Sequence, residues 1–551
     1  MQIKNILKSS IKRNYIVNLL YFLSLYFILV FRAPEDFFSP YLWAEDGTIL
    51  IESAIYDGIS GVFIPGNGTY WVIQKILALL CYWVVIPSGS ILLLPYLMQI
   101  SFKIIAVLSI IYFVSNRFEW IIKEKFYRFI VCIFIILLMP QNSSEVLTCE
   151  TALPFEMFFW VFLLGLDLLF SRKNMPNLKE TFFLSLFSMS FAGAPLVFLL
   201  ICVCFTFWLI KEIKNRTLSF KLFCFQFLKI LALFATCIAQ ISVLLSGNRV
   251  NNDFDLLNRI FLNFKSFIFF PYWQIFHSWI AFCIGLLLWL LIAYASKTSW
   301  KVLLYYAGFS YIYMLYCSFT SATNSFYSGE MVTRYVFICY EISVLYIFSS
   351  IIKLYKCKTF CKQILSGSLA CTFLILALKT YNVPTIGAEF AEIYEKNCSV
   401  FDKNGTDQTV IPIGPWEPWI LTIPTRMSSY QYENDILFNV ESIDGYRIGD
   451  ENYGLIDKDN KSYIHLVGWV KTAEDNELLN KIYLKFANKY IAASKIQIRD
   501  VFDKENIKHN GFDFVVDINY LQEGENSLEL VAQSENGEWH KGVITLNFSF
   551  I

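Results

Sequence analysis

The chain has 551 residues, of which 56% are hydrophobic and only 16% are charged, and its mean hydropathy is +0.50. That composition excludes an ordinary soluble protein and indicates a chain that lies largely in a lipid bilayer. The 45 basic and 45 acidic residues cancel, so no overall charge attracts nucleic acid or a strongly acidic partner.

The N-terminus combines a basic stretch with an apolar run. The run from Tyr15 to Phe31 follows Lys4, Lys8, Lys12 and Arg13, and no small-residue cleavage site comes after it. A cleaved signal peptide would carry such a site. We therefore expect a retained membrane anchor whose N-terminus is cytoplasmic.

Apolar runs long enough to cross a hydrocarbon core of about 30 Å recur as far as Tyr381. They predict about eleven transmembrane helices. The spans lie near residues 15–31, 91–115, 127–140, 155–170, 181–193, 196–210, 222–245, 278–296, 302–319, 335–352 and 366–381. The apolar run from Trp71 to Pro87 is interpreted as an interfacial or re-entrant segment, because a twelfth span there would place the basic loop 117–128 outside.

Basic residues are distributed unevenly between the two sets of loops. The loops that this scheme places inside hold 21 Lys and Arg residues, whereas the outer loops up to Tyr381 hold six. The positive-inside rule then predicts a cytoplasmic N-terminus and an extracytoplasmic C-terminal part. Most polar loop residues lie in the predicted outer loops, and the inner loops carry no GxxxxGK[ST] or GxGxxG motif for a nucleotide. We therefore expect the chemistry on the outer face.

After Asn382 the composition becomes that of a soluble protein. Residues 382–445 are interpreted as a connector, in which the proline-rich stretch from Ile411 to Trp419 runs extended over the membrane surface. From Tyr446 to Ile551, short alternating runs separated by turn residues predict an antiparallel β-sandwich that folds by itself. Together with residues 1–381, this gives a mainly α membrane protein with a C-terminal extracytoplasmic β-sandwich domain.

The first outer loop, which follows the first span, concentrates acidic residues. Glu35, Asp36, Glu45 and Asp46 lie within about a dozen positions among aromatic residues and prolines. Desolvation against apolar walls raises the pKa of a carboxyl group towards the range that suits a general base. The alternative is a solvated acidic loop, or a helix N-cap formed by Asp46.

Four short segments carry a family resemblance: Trp43-Ala44-Glu45-Asp46-Gly47, the turn from Gly66 to Tyr70, the pair Arg334-Tyr335 and the stretch from Ile411 to Pro418. With an acidic loop directly after the first helix and many further spans, the chain resembles the GT-C glycosyltransferases. More narrowly, the four segments look like those of the polytopic bacterial glucosyltransferases that decorate O-antigen or similar surface glycans. The resemblance implies an inner-membrane enzyme that moves a hexose, usually glucose, from a polyprenyl-phosphate donor to a glycan acceptor in the periplasm.

In such enzymes a carboxylate of the first loop serves as the base, and the resemblance places that role on Asp46, with Glu45 as the alternate. The leaving phosphate also needs a cation, for which Arg334, Lys75 and Lys103 are the candidates. Arg334 could instead anchor the chain at the lipid headgroups. The alternative role of Lys103 is a structural ion pair with Glu156 or Asp167. Asp36, Glu145 and Glu150 are the candidates for the acceptor cleft.

We expect no metal and no other cofactor, although the carboxylates that gather in the outer loops leave a divalent cation open. Two other functions remain as alternatives. A transporter or flippase of lipid-linked glycans would need polar residues at mid-depth in the spans, which are poor in them apart from Lys103. A glycan polymerase would use the same kind of donor but would rely on arginine-rich outer loops.

Overall fold

The computed structural model of this protein describes most of the chain. The described residues are 2–139, 152–171, 176–190, 195–215, 219–246, 287, 289–320, 333–357, 359–379, 381, 388–414, 419–448, 453–456, 461–472, 478–500 and 508–550.

The chain forms two compact units, each built from separate stretches of sequence. The helical unit comprises Met1–Phe37, Val62–Ile76 and Gln99–Thr385. The β unit comprises Phe38–Gly61, Leu77–Met98 and Ile386–Ile551. Residues of the predicted first outer loop thus contribute to both units.

The α-helices of the described residues are mostly apolar. They are α1 (Gln2–Arg32), α2 (Pro34–Phe38), α3 (Val72–Val85), α4 (Leu94–Ile111), α5 (Lys125–Leu137), α6 (Leu153–Leu166), α7 (Leu178–Ser188), α8 (Pro195–Lys214), α9 (Phe220–Ser246), α10 (Trp300–Thr320), α11 (Thr333–Tyr355), α12 (Phe360–Lys379) and α13 (Ala388–Cys398). Within the described ranges, five stretches are long and apolar enough to cross a membrane: Tyr15–Arg32, Leu94–Val114, Phe220–Ser246, Phe337–Tyr355 and Phe360–Lys379. The protein is therefore a mainly helical membrane protein.

These five stretches coincide with five of the predicted spans. Five further predicted spans, near 127–140, 155–170, 181–193, 196–210 and 302–319, overlap helices that are not in this group. The predicted span near 278–296 lies partly outside the described residues. The run from Trp71 to Pro87 contains α3, whose 14 residues extend about 21 Å, which is short for a crossing.

Arg32 ends α1 and is fully buried in the helical unit. Its guanidinium donates to the carbonyl oxygens of Ile136, of Met139 at 2.7 Å and of Tyr381 at 3.1 Å. The first two carbonyls lie at the C-terminal end of α5, where a helix has unpaired acceptors and a negative partial charge. Arg32 therefore fixes the end of α1, where the loop predicted to lie outside begins.

Two sheets form the core of the β unit. Their strands are β1 (Asp407–Pro412), β2 (Ile420–Thr425), β3 (Ile436–Ile443), β4 (Tyr446–Arg447), β5 (Tyr453–Ile456), β6 (Tyr463–Thr472), β7 (Leu479–Phe486), β8 (Lys489–Ala492), β9 (Lys495–Asp500), β10 (Lys508–Asp517), β11 (Gly524–Ser534) and β12 (Trp539–Phe550). The seven-stranded sheet has the order β2-β1-β8-β7-β11-β12-β5, and the five-stranded sheet has the order β4-β3-β6-β10-β9.

The two sheets enclose one hydrophobic core, to which β6 contributes from one sheet and β7 from the other. Along β6, buried and half-buried residues alternate strictly, so Ile464, Leu466 and Val470 face the core. The predicted C-terminal β region is confirmed. The prediction of purely antiparallel pairing is wrong at two places, because β1 pairs with β8 and β12 pairs with β5 in parallel.

The structural boundary of the β region differs from the predicted one at Tyr446, because β1, β2 and β3 come from the stretch interpreted as a connector. Pro412 does not prevent this, since it ends β1 opposite Ile420 and lies beyond the residues of β1 that pair with β8. A proline at a strand end removes no ladder hydrogen bond on its unpaired side. Residues 415–418 of the proline-rich stretch lie outside the described residues.

Candidate functional site

The Trp-Ala-Glu-Asp-Gly segment docks on the β1–β2 hairpin within the β unit. Trp43 forms an isolated β-bridge with Gly414. The N–H of Ala44 donates to the carbonyl of Gly414 at 2.5 Å, and the N–H of Gly414 donates to the carbonyl of Leu42 at 3.2 Å. These main-chain bonds join two stretches that are far apart in sequence.

The backbone of this segment is strained. Ala44 has a φ of +45°, in the left-handed region that side chains other than glycine rarely adopt. Such a conformation costs on the order of 1 to 3 kcal/mol and is concentrated at functional sites. Beside it, Gly47 is packed so closely that a Cβ would lie 2.3 Å from Cδ1 of Ile413. The strain and the close packing together favour a functional role for this segment.

Asp46 lies at the start of the π-helical turn Asp46–Ile51 and is 2% exposed. Its Oδ2 accepts from the N–H of Trp43 at 3.3 Å, and its own N–H donates to the carbonyl of Trp43 at 2.8 Å. The carboxylate is therefore turned back over Trp43, whereas the neighbouring Glu45 is only half-buried. Asp46 is the first residue of this turn and not its N-cap, which is Glu45 and makes no side-chain cap hydrogen bond, so the alternative of an N-cap formed by Asp46 is wrong. Its burial also distinguishes Asp46 from a residue of a solvated acidic loop.

A further carboxylate, Glu52, lies on the same segment and was missed by the sequence analysis. Its Oε1 accepts from the N–H of Thr422 in β2 at 2.6 Å. Burial raises the pKa of Glu52 to about 7, although the Thr422 hydrogen bond and the charge of Lys489 act in the opposite direction. A carboxyl group with such a pKa is matched to proton transfer near neutral pH. The only signal in the sequence is its position, directly after the apolar residues 49–51.

Tyr56 adds a proton donor near Glu52. Burial, together with the charges of Glu52 and Tyr82, raises the pKa of Tyr56 to about 12. The phenol is therefore protonated at neutral pH and can donate a hydrogen bond. Glu52 and Tyr56 give this segment one group that can accept a proton and one that can donate a hydrogen bond.

The predicted cations for the donor phosphate belong to the helical unit. Lys75 is 4% exposed, and its Nζ donates to the carbonyl of Ile64 at 2.8 Å. Lys103 is fully buried, and its Nζ donates to Oε1 of Gln99 at 3.0 Å. Arg334 is the second residue of α11. Both lysines are thus already engaged within their own unit.

The predicted acceptor residues are placed only in part. Asp36 lies in α2 and is fully buried within the helical unit. Glu145 and Glu150 lie outside the described residues. Of the predicted residues, the structure brings Glu45 and Asp46 together on one segment.

Buried ionisable side chains also lie inside the helical unit. Lys103 interacts electrostatically with Glu156, which in turn interacts with Glu341, and all three side chains have no exposed surface. Neither glutamate carboxylate has a hydrogen-bond partner among the described residues. Asp167, the other partner considered for Lys103, pairs with Arg117 at 3.4 Å.

One group of side chains in the β unit has the composition of a metal site. Glu433, Asp435 and His540 each offer an atom within 4.8 Å of the others. Nδ1 of His540 lies 2.9 Å from Oδ1 of Asp435, so the imidazole is already held by a hydrogen bond. Oxygen and imidazole ligands of this kind suit Zn²⁺ or Mn²⁺.

Comparison of the chain with family models, with curated proteins and with solved structures finds no match.

Proposed function

We propose that this membrane protein is a GT-C-type glycosyltransferase that moves a hexose, with glucose as the first choice, from a polyprenyl-phosphate donor to a surface glycan such as O-antigen. The observation that carries the proposal is the strained segment around Ala44, which docks on the β1–β2 hairpin. This segment holds the buried Asp46 and also Glu52, whose pKa is raised to about 7. Carboxylates held in this way suit the removal of a proton from a sugar hydroxyl.

The proposed reaction forms one bond and breaks one. An acceptor hydroxyl oxygen attacks the anomeric carbon, Asp46 takes the hydroxyl proton, and the bond from that carbon to the phosphate oxygen breaks. The polyprenyl phosphate leaves with the electron pair of that bond. The leaving phosphate needs a basic side chain that stabilises its developing charge, and Arg334 is the candidate that the sequence alone suggests.

The proposed topology has about eleven spans, a cytoplasmic N-terminus and a periplasmic β unit in the bacterial inner membrane. It rests on the excess of basic residues in the inner loops, 21 against six. In this orientation the carboxylates of the first loop face the periplasm, where polyprenyl-linked sugars and surface glycans meet.

A cysteine-labelling experiment tests this topology. In intact spheroplasts, a cysteine introduced as Asn519→Cys, which is exposed in the β unit, should react with a membrane-impermeant maleimide. A cysteine introduced as Lys356→Cys, beyond the last turn of α11, should react only after the membrane is opened. The parent chain, which has its own cysteines, gives the background. The reverse pattern would invert the topology and place the proposed site in the cytoplasm.

The function itself is tested by the glycan that the cells make. Surface glycans from cells with and without the gene should differ by the mass of one hexose per repeat. The Asp46→Asn variant, expressed at the same level, should give the glycan of the cells without the gene. Identical glycans in the three strains would contradict the proposal.

A specific observation also favours the transporter or flippase as a second candidate. Lys103, Glu156 and Glu341 place ionisable groups inside the helical unit, which is the feature that such a protein needs. Purified protein in detergent distinguishes the two functions, because a micelle has no compartments. An enzyme transfers hexose from a polyprenyl-phosphate donor to a glycan acceptor there, whereas a transporter leaves both unchanged.

A further inference from the structure

A small cavity in the helical unit is lined by basic and hydroxyl side chains. Its volume is about 230 Å³. The polar groups come from the connection that precedes α10 and from the last turns of α11: Lys297, Thr298, Ser299, Ser349, Ser350 and Lys353. No acidic residue is found among its described lining residues.

The backbone at Lys297 is held in an unusual conformation. The N–H of Thr298 donates to the carbonyl of Ala293 at 3.0 Å, and the N–H of Lys297 donates to that of Tyr294 at 3.2 Å. This is the Schellman pattern of a helix end, in which the residue at the position of Lys297 is usually glycine. Lys297 has a φ of +53° there. A lysine in a place that favours glycine indicates a use for its side chain.

The start of α10 adds a second attraction for an anion. The helix begins at Trp300, and the N–H of Leu303 donates to the carbonyl of Ser299 at 3.1 Å. The first N–H groups of an α-helix have no acceptor within the helix, and the helix dipole makes this end positive. Because Thr298 and Ser299 precede that end and line the cavity, the cavity lies at the anion-binding end of a helix of 21 residues.

The opposite wall supplies an independent observation. Ser349 is 4% exposed, and its hydroxyl is buried with no hydrogen-bond partner among the described residues. An unsatisfied buried hydroxyl is costly unless a ligand or water completes it. Lys353, one turn further on, is half-buried, and it has no ion pair in the part of the chain that the structure describes. One wall thus offers the first N–H groups of α10, and the other offers the Ser349 hydroxyl and the Lys353 ammonium.

We propose that this cavity binds a phosphate group, either that of a lipid headgroup or that of a small soluble compound. Two lysines, hydroxyl donors and a helix N-terminus are the groups that recognise phosphate oxygens. The volume is below the roughly 300 Å³ at which pockets for drug-sized ligands begin, which favours a phosphate with a short attached group over a nucleotide. In the proposed topology the cavity lies on the cytoplasmic side. The proposal does not depend on glycosyl transfer.

The test uses the full chain purified in a phosphate-free maltoside detergent at constant ionic strength. Inorganic phosphate and dioctanoyl phosphatidylglycerol are titrated separately, and binding is followed by the rise in the thermal unfolding midpoint. Lys297→Gly and Lys353→Gln should each weaken binding by about tenfold or more, since each removes a charge-assisted contact. Ser349→Ala should weaken it by a smaller factor.

Two features separate ligand binding from a structural effect. Lys297→Gly places the preferred residue in the left-handed position, so the unliganded protein should unfold at the same or a higher temperature while binding is lost. Lys301→Gln is the matched control, because Lys301 is exposed in the first turn of α10 and is not among the lining residues. A response to the lipid alone assigns the headgroup, and a response to inorganic phosphate assigns a soluble compound. No response to either probe, or an equal loss with Lys301→Gln, would overturn the proposal.

Discussion

Asp46→Asn is expected to lower hexose transfer by about 10²- to 10⁴-fold while protein level and donor binding persist. Asparagine keeps the shape of the side chain and an oxygen that can accept from the N–H of Trp43, so the docked segment should stay in place. It cannot accept a proton from the acceptor hydroxyl. The measurement is the rate of transfer by purified protein at saturating donor.

Glu45→Gln is the matched control for this variant. Glu45 precedes Asp46 and is half-buried, but adjacent side chains point in different directions, so at most one of the two faces a shared cleft. Its transfer rate should stay within about tenfold of the parent chain. An inverted ranking, with the large loss in Glu45→Gln, would move the base by one residue and leave the segment as the site.

The Glu52→Gln variant shows whether Asp46 or Glu52 is the base. Glutamine can still accept from the N–H of Thr422, so the link to β2 remains. If Glu52 were the base, Glu52→Gln would carry the large loss. The parent rate would then fall as the pH drops below about 7, because burial raises the pKa of Glu52 to that value and only the ionised form accepts a proton. Near-normal rates in both Asp46→Asn and Glu52→Gln would leave neither residue as the base and favour the transporter.

The parts of the fold that sequence patterns predicted are those set by local chemistry. A run such as Phe360–Lys379 is apolar over 20 residues, which indicates a helix in a membrane whatever its neighbours are. In β6, buried and half-buried residues alternate strictly, because successive side chains of a strand point to opposite faces and only one face of β6 lies against the core. Such signals need no knowledge of what each element packs against.

The missed features depend on contacts between distant parts of the chain. Burial raises the pKa of Glu52, and the residue that donates to its carboxylate there, Thr422, lies 370 positions later in the chain. Trp43 likewise pairs with Gly414. No local pattern around either residue reveals such a partner, so the sequence indicated an acidic loop without showing which carboxylates are buried. The part of the acceptor cleft assigned to Glu145 and Glu150 stays a prediction, since both lie outside the described residues.

The strands β1 to β3 were missed for a related reason. A proline is unfavourable within a strand, so Pro412 locally predicts against one. It is compatible with β1 because the pairing of β1 with β8 ends before this residue. β3 pairs with β6 along most of the length of β3. A boundary at Tyr446 therefore cuts through both sheets, which changes the expectation that residues 446–551 fold alone.

A fragment of residues 446–551 is now expected to lack a cooperative thermal transition, whereas a fragment of residues 388–551 should show one. The shorter fragment loses four buried core residues, Val410, Ile436, Val440 and Ile443, and leaves β6 and β8 with unpaired edges. At about 1.5 to 3 kcal/mol for each buried apolar side chain, the loss is roughly 6 to 12 kcal/mol, which is comparable to the whole stability of a domain.

Tryptophan fluorescence and far-UV circular dichroism, followed with temperature, measure both fragments, since each contains Trp539, which stacks on Tyr430 in the longer one at 4.9 Å. Coincident, sigmoidal transitions by the two probes identify a cooperative fold. The longer fragment alone should give them. If the shorter fragment melts cooperatively at the same temperature, β1, β2 and β3 are only attached to a self-sufficient domain and the boundary at Tyr446 is right after all. If neither fragment does, the stretches Phe38–Gly61 and Leu77–Met98 are required to complete the β unit.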